Sequence, residues 1–300
     1  MTIMKEAEII KHREYSEDPI KFIKENRLGI NNKTWKCEYL EMMDFEEKFL
    51  RHIHENNLSV TKKSRQMHMT SLSAAYCAWK LIFSFDKSIA IICPKKDQAV
   101  RFIELVRIIL QSYSNDIFHW EDNFVKDNKD EIRLDNGSYI KALPASPSAL
   151  RGYRFDMVIM DEVAFMKEAK EIWTTLISDF TNNPKIIIYS STNGINFFYD
   201  VWFQSIREEV DFSHLSFDYT DNPNYNNKEW YDSMCKTLGS KDAIDVELHG
   251  LFVDKSKPES YRLNLRIKKD IYDKMIDKIG NTNVSDYIRK LIEKDLRINE

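Results

Sequence analysis

The stretch Asp156-Met157-Val158-Ile159-Met160-Asp161-Glu162-Val163-Ala164-Phe165 decides how the rest of the chain is read. Its apolar residues, Met157 to Met160, run unbroken into two adjacent carboxylates. A short apolar run with no polar alternation marks a strand buried on both faces, which belongs in the middle of a parallel sheet. The carboxyl ends of such strands are where open α/β sheets collect ligands. Asp161 and Glu162 therefore stand where charge is useful, although a merely solvated strand-end pair would read the same.

Working outward, the rhythm repeats. Ser88-Ile89-Ala90-Ile91-Ile92 and Lys185-Ile186-Ile187-Ile188-Tyr189 read as two more buried strands, with shorter ones at residues 58–61 and 215–219. Helices alternate with them. Residues 44–53 carry Phe45, Phe49 and Ile53 at i, i+4, i+8; residues 70–85 carry Leu72, Ala75, Tyr76, Trp79 and Phe83. Residues 97–110 place Phe102, Val106, Ile109 and Leu110 on one side, and further helices are expected from Pro19, over residues 169–180, and around Trp230 and Ala243. Asp135-Asn136-Gly137-Ser138 between two short strands is a hairpin signal. Strands alternating with helices imply an α/β fold, a parallel sheet with helices on both faces. Residues 62–71, Lys62-Lys63-Ser64-Arg65-Gln66-Met67-His68-Met69-Thr70-Ser71, read as a polar loop opening the helix that follows. His52 and His54 read as surface-helix residues, and Trp120, Trp173, Trp202 and Trp230 as core.

Composition bounds the rest. Three hundred residues at 43% hydrophobic suffice for one large core and a small appendage. No apolar run approaches the ~18 residues of a membrane span, and the amino terminus lacks a leader pattern. Cys37, Cys77, Cys93 and Cys235 have neither zinc nor disulfide spacing, so a reduced, cytoplasmic protein is expected. The net charge of −4 excludes a uniformly basic nucleic-acid binder. It is uneven, however: residues 255–300 carry roughly +4 and the rest about −8, which marks a second module.

A strand, a loop ending in Thr70-Ser71 at a helix start, and a later strand ending in Asp161-Glu162 is the organisation of P-loop NTPases. A phosphate loop ordinarily ends in Gly-Lys-Ser/Thr: glycine for close backbone approach, lysine for the β/γ oxygens, hydroxyl for Mg²⁺. Here those places hold His68, Met69 and Thr70.

From about Asp18 to Val253 the chain resembles the ATPase domain of the large terminase subunits of tailed bacteriophages. Ser64-Arg65-Gln66 is similar to the start of their phosphate loop, and residues 135–152 to the segment before their acidic strand. Asp161-Glu162-Val163-Ala164-Phe165 is similar to that strand's end, and Ser190-Ser191-Thr192-Asn193-Gly194 to the motif coupling hydrolysis to DNA movement. The resemblance implies ATP and Mg²⁺ as cofactors. It makes Glu162 and Arg65 the candidate catalytic pair, with Asp161 and Thr70 at the metal. Glu46, Lys63, Ser64, Gln66, Met67, His68, Met69 and Thr70 would surround the nucleotide. Departures gather there. Glu46 stands where the family often has the glutamine that reads adenine, and a carboxylate only accepts. His68 replaces glycine, Met69 replaces lysine, and Thr192 stands where proline is usual. Lambdoid-type relatives carry the lysine at the loop's start, the position of Lys63. Two readings stay open: Lys63 is that cation, or Lys62 and Lys63 are a solvated pair.

Past Val253 the resemblance leads one to expect a nuclease domain, and the residues that follow are too few to hold it. Tyr261-Arg262-Leu263-Asn264-Leu265-Arg266-Ile267 alternates as a strand; a helix with Ile271, Met275 and Ile279 stops at Gly280; Asn283 caps another bearing Val284, Ile288, Leu291, Ile292 and Leu296. Strand, helix, helix resembles a ribbon-helix-helix (β-α-α) DNA-binding module, which implies a homodimer whose ribbon enters the major groove. Arg262, Asn264 and Arg266 would face the bases, with Lys268 and Lys269 and the amides at Asn283, Val284 and Ser285 on the phosphates. A helical hairpin packed on the preceding domain is the other reading. The expected organisation is thus an N-terminal helical segment (1–57) belonging to the ATPase domain, a core (58–254) and a module (255–300). Two functions follow. One is a packaging-motor ATPase on double-stranded DNA without its own nuclease, with portal, small terminase or another large terminase as partners and no membrane. The other is a non-enzymatic DNA-binding regulator or decoy that keeps the fold as a scaffold.

Overall fold

The computed structural model describes residues 6–26, 29–30, 37–38, 41–113, 120–179, 185–254 and 268–279, with Val284, Tyr287, Ile288 and Leu291. Helices α1 (Glu6–Glu17) and α2 (Pro19–Glu25) come first, then an antiparallel ribbon of β1 (Gly29–Ile30) and β2 (Cys37–Glu38), then α3 (Asp44–Glu55). β3 (Leu58–Lys63), α4 (Met69–Phe83), β4 (Ser88–Ile92) and α5 (Lys96–Ser112) follow. α6 (Trp120–Asn123), β5 (Phe124–Asn128), β6 (Glu131–Leu134) and β7 (Tyr139–Leu143) form a meander. β8 (Met157–Asp161), α7 (Ala169–Asp179), β9 (Lys185–Ser190), α8 (Phe197–Ile206), β10 (Ser213–Phe217), α9 (Lys228–Leu238), α10 (Lys241–Glu247) and α11 (Lys269–Ile279) complete the order.

One eight-stranded sheet runs β10-β3-β9-β8-β4-β7-β6-β5. Its pairings are parallel from β10 to β7, and β6 and β5 add antiparallel strands at the edge. Alternation along the central strands divides the core in two. Ile89, Ile91, Met157, Ile159, Ile187 and Tyr189 pack under Phe49 of α3, Tyr76 of α4 and Phe102 of α5. Ala90, Ile92, Val158, Met160, Ile186 and Ile188 face Ile172 of α7 and Phe198 and Trp202 of α8. Each such side chain contributes about 1.5–3 kcal/mol on burial, so a parallel sheet covered on both faces follows from these runs. Among the described residues no helix is long and apolar enough to cross a membrane, and Cys77, Cys93 and Cys235 are free thiols.

Several readings need correction. β3 runs on through Lys62 and Lys63, because Lys62 pairs with Ser190 of β9 and Lys63 with Phe217 of β10. Neighbours on both sides override the charge that had read as loop. His52 and His54 are half-buried, not on a surface face. Burial pushes the His52 imidazole down to about 4, and its Nε2 has no partner among the described residues. His54 lies 3.3 Å from the Tyr76 hydroxyl. β5 escaped the reading since its residues past Phe124 are exposed, leaving no apolar pattern to see.

The chain divides into two compact units, Met1–Lys255 and Ser256–Glu300. In the second, α11 spans Lys269–Ile279, and Gly280, on which the helix stop was read, lies outside the described residues. Residues 261–267 and Asn283, on which the strand and second cap were read, lie outside the described residues.

Candidate functional site

The site lies at the carboxyl ends of β3, β8 and β9. Alternation at the end of β3 sends two lysines opposite ways. Lys62 donates to the Gly250 carbonyl at 2.9 Å and sits 5.5 Å from the Trp202 ring centre, and burial lowers its pKa. Lys63 is 5% exposed, with its ammonium 2.5 Å from Glu162 Oε1. They are not a solvated pair.

Past Lys63 the chain leaves the sheet. Ser64 N–H donates to the Phe217 carbonyl at 3.0 Å and Arg65 N–H to the Glu247 carbonyl at 3.1 Å. Gln66 (φ 60°) and His68 (φ 56°) then take left-handed backbone, which is costly for residues bearing a Cβ. His68 is held there by Glu46, whose Oε1 lies 2.9 Å from His68 Nδ1 while Oε2 accepts from Met43 N–H at 2.9 Å. The turn aims the start of α4 at the acids. Thr70 Oγ1 donates to Asp161 Oδ2 at 2.8 Å, and the first amides of this 15-residue helix form an anion-binding end.

Glu162 also adopts left-handed backbone, φ 55°, turning its side chain away from the strand direction. Its Oε2 accepts from Ser191 N–H and Ser191 Oγ, both at 3.0 Å, with Ser190 Oγ at 3.2 Å. Burial alone would raise the Glu162 carboxyl, but Lys63 and the Ser191 donors outweigh it and hold it below its ordinary value. Asp161 goes the other way. Full burial, then the neighbouring Glu162 charge, push it up to about 7. Asp161 Oδ1 has no hydrogen-bond partner among the described residues. A buried, unpartnered carboxylate oxygen beside a hydroxyl is a hard oxygen donor pair whose chemistry suits Mg²⁺. Among the described residues no group of three or more His, Cys, Asp or Glu is placed to hold a metal ion.

The coupling candidates spread from this point. Thr192 Oγ1 donates to the Leu251 carbonyl at 2.8 Å, Asn193 Nδ2 to the Ala164 carbonyl at 3.3 Å, and Gly194 has φ 73°. Asn196, which the sequence reading passed over, donates to the same Ala164 carbonyl at 3.0 Å and caps α8. Arg65 does not reach the acids as an ion-pair partner. It pairs with Glu247 at 3.3 Å. Thus the turn after α10 is gripped from β3 by Lys62, from the loop by Arg65 and from β9's end by Thr192.

A cavity of about 490 Å³ joins these groups, lined by Lys63, Gln66, Met67, His68, Met69, Thr70, Asp161 and Glu162. Ser64 is buried behind it, and Glu46, 8% exposed, stands behind His68. Cys93, Gln98, Arg101 and Tyr225 also line it and were missed. Tyr225 belongs to a ring stack with Trp230, which is half-buried in that stack and not a core residue. An adjoining cavity of about 970 Å³ shares Lys63 and Glu162 and adds Arg65, Lys95 and Lys167. In the second unit Lys268 and Lys269 are exposed and Val284 half-buried; Arg262, Asn264, Arg266, Asn283 and Ser285 lie outside the described residues.

A family model described as terminase large subunit, T4-like-virus type, N-terminal, matches residues 60–261. The large terminase ATPase domain of Thermus phage P74-26 is similar at TM-score 0.53 and 20% identity, over 68% of this chain and 93% of that one. The HK97 bacteriophage large terminase is similar at TM-score 0.63 and 14% identity, over 79% of this chain and 55% of that one. A large terminase from a thermophilic bacteriophage, in complex with ADP, is similar at TM-score 0.55 and 16% identity, over 71% and 54%. At these identities the likeness shows the fold, and the chain spans just over half the length of the last two.

Proposed function

Because the chain belongs to the family of terminase large subunits of the T4-like-virus type, we propose that its cavity binds ATP with Mg²⁺ and that it serves as the ATPase domain of a motor acting on double-stranded DNA. The observation that carries this is the placement of Lys63 beside Glu162 with Thr70 on Asp161. Lys63, at the loop's start, supplies the phosphate cation that Met69 cannot. The α4 amides cradle phosphate oxygens. Asp161 and Thr70 would hold Mg²⁺, whose charge neutralises the phosphates. Glu162, kept ionised by Lys63 and Ser191, polarises the attacking water.

Turnover is expected to be slow. The His68 side chain crowds a backbone position that glycine ordinarily leaves open, and Lys63 must divide its charge between Glu162, with which it is already paired, and a phosphate. The Glu46–His68 pair favours a second reading, a fold kept as scaffold with DNA binding delegated to residues 255–300 as a dimeric ribbon-helix-helix module. Calorimetry with ATP, with and without Mg²⁺, separates the two. Mg²⁺-dependent binding and a turnover abolished by Lys63→Ala and by Glu162→Gln are expected. Rates unchanged in both variants would overturn the assigned roles.

A further inference from the structure

One wall of the cavity comes from outside the phosphate loop. Tyr225, between β10 and α9, lines it together with His68 and Met69. Its half-buried ring stacks on Trp230, 4.6 Å between centres and 18° between planes. Trp230 stacks on Tyr219 at 5.8 Å and 19°, and Tyr219 on Tyr231 at 5.1 Å and 23°. His249 meets Tyr219 edge-on at 5.4 Å. The series anchors α9 against the turn after α10, since Tyr219 N–H also donates to the Leu248 carbonyl at 3.1 Å. Tyr225 therefore cannot swing freely. One face of its ring is backed by Trp230, and the residue borders the cavity that is lined by Lys63 and Thr70.

The position from which a base would be read by a glutamine is closed here. Glu46 is 8% exposed, and its two carboxylate oxygens are engaged by His68 and by Met43 N–H. Both oxygens of Glu46 are thus already engaged, and an ionised carboxylate has no hydrogen to donate to a base edge. What the cavity offers instead is an aromatic plane already ordered before any ligand arrives, which keeps the entropy cost of stacking small.

We propose that Tyr225 is the platform on which the nucleobase of a nucleoside triphosphate stacks, so that base binding belongs to the aromatic series of α9 and not to Glu46. This rests on the reading of the cavity as a nucleotide site. Stacking of a base on one aromatic side chain contributes about 5- to 150-fold in affinity.

The test uses the full chain with Mg²⁺ and compares ATP with inorganic tripolyphosphate by calorimetry. Tyr225→Ala is expected to weaken ATP by about 5- to 150-fold and to leave tripolyphosphate unchanged, while Tyr225→Phe binds both as wild type does. Equal losses for ATP and tripolyphosphate would mean that Tyr225 acts through the shape of the loop, and would overturn the proposal. So would undiminished ATP binding by Tyr225→Ala, with the nucleotide site itself still standing. Wild-type protein that binds neither probe would defeat the nucleotide reading first, and the base platform with it.

Discussion

Glu162 sits in left-handed backbone at φ 55°, at a cost of about 1–2 kcal/mol for a residue with a Cβ. Its carboxylate is what keeps it there, with Lys63 on one oxygen and Ser191 on the other. Glu162→Gln can keep part of the Ser191 contact but loses the ion pair and the charge proposed to polarise water. Turnover in that variant should fall about 10²–10⁴-fold, measured as phosphate release, with the fold intact. Lys63→Met should instead show in stability. It leaves a carboxylate without its cation, and because the Glu162 side chain keeps 29% of its exposure the loss should be about 1–3 kcal/mol by urea unfolding. His52 gives a pH signature. Its folded pKa of about 4 lies below the unfolded 6.5, so the unfolded chain takes the proton first and stability declines as pH falls from 6.5 toward 4. His52→Leu should flatten that part of the stability–pH curve, by at most about 3 kcal/mol across the window. An unchanged slope would remove His52 from the account.

At the scale of elements, the turn from Glu247 to Leu251 is held by side chains from three different segments. Lys62 holds it from β3, Arg65 from the loop that follows, and Thr192 from the end of β9, where Ser191 also holds Glu162. A change at the acids can therefore reach α9 and α10 through two short hydrogen-bonded paths. Gly250 makes the turn, with φ 59°, and a Cβ there would stand 3.5 Å from the Lys63 carbonyl. Room exists, but the backbone does not suit a side chain. Gly250→Ala is expected to cost about 1–2 kcal/mol, read as a lower midpoint in thermal or urea unfolding. Full retention of stability would show that the turn can relax without disturbing β3.

At the scale of the whole molecule, the charge break near Lys255 coincides with the division into two units. In the second unit Ile271 and Leu291 are 53% and 47% exposed. Both belong to the apolar stripes expected to meet a second copy in a ribbon-helix-helix dimer, and a module of this size buries too little surface alone. The full chain should therefore sediment as a dimer, and Ile271→Asp together with Leu291→Asp should render it monomeric. Asn264→Ala with Arg266→Ala should leave the dimer but erase sequence preference on duplex DNA, since each base pair read contributes about 1–3 kcal/mol of discrimination. A chain that stays monomeric at micromolar concentration would leave these residues as packing.

Central strands must be apolar on both faces and end where the sheet ends, so β4, β8 and β9, the parallel class and the acids Asp161 and Glu162 could be read directly from residue order. So could α3, α4 and α5, whose stripes repeat within a few residues. β5 could not, because an edge strand buries little. The working parts of the site were beyond such reading. Lys63 lies 99 residues from Glu162 and His68 22 from Glu46. Nothing in the local pattern of Lys62-Lys63 told strand from loop, and nothing around Tyr225 placed it at the cavity beside His68 and Met69. Periodicity records which face of an element is buried; which distant side chains share that burial is decided only when β3, β8, β9 and the turn after α10 close on one cavity, where an unpaired charge would be too costly to keep.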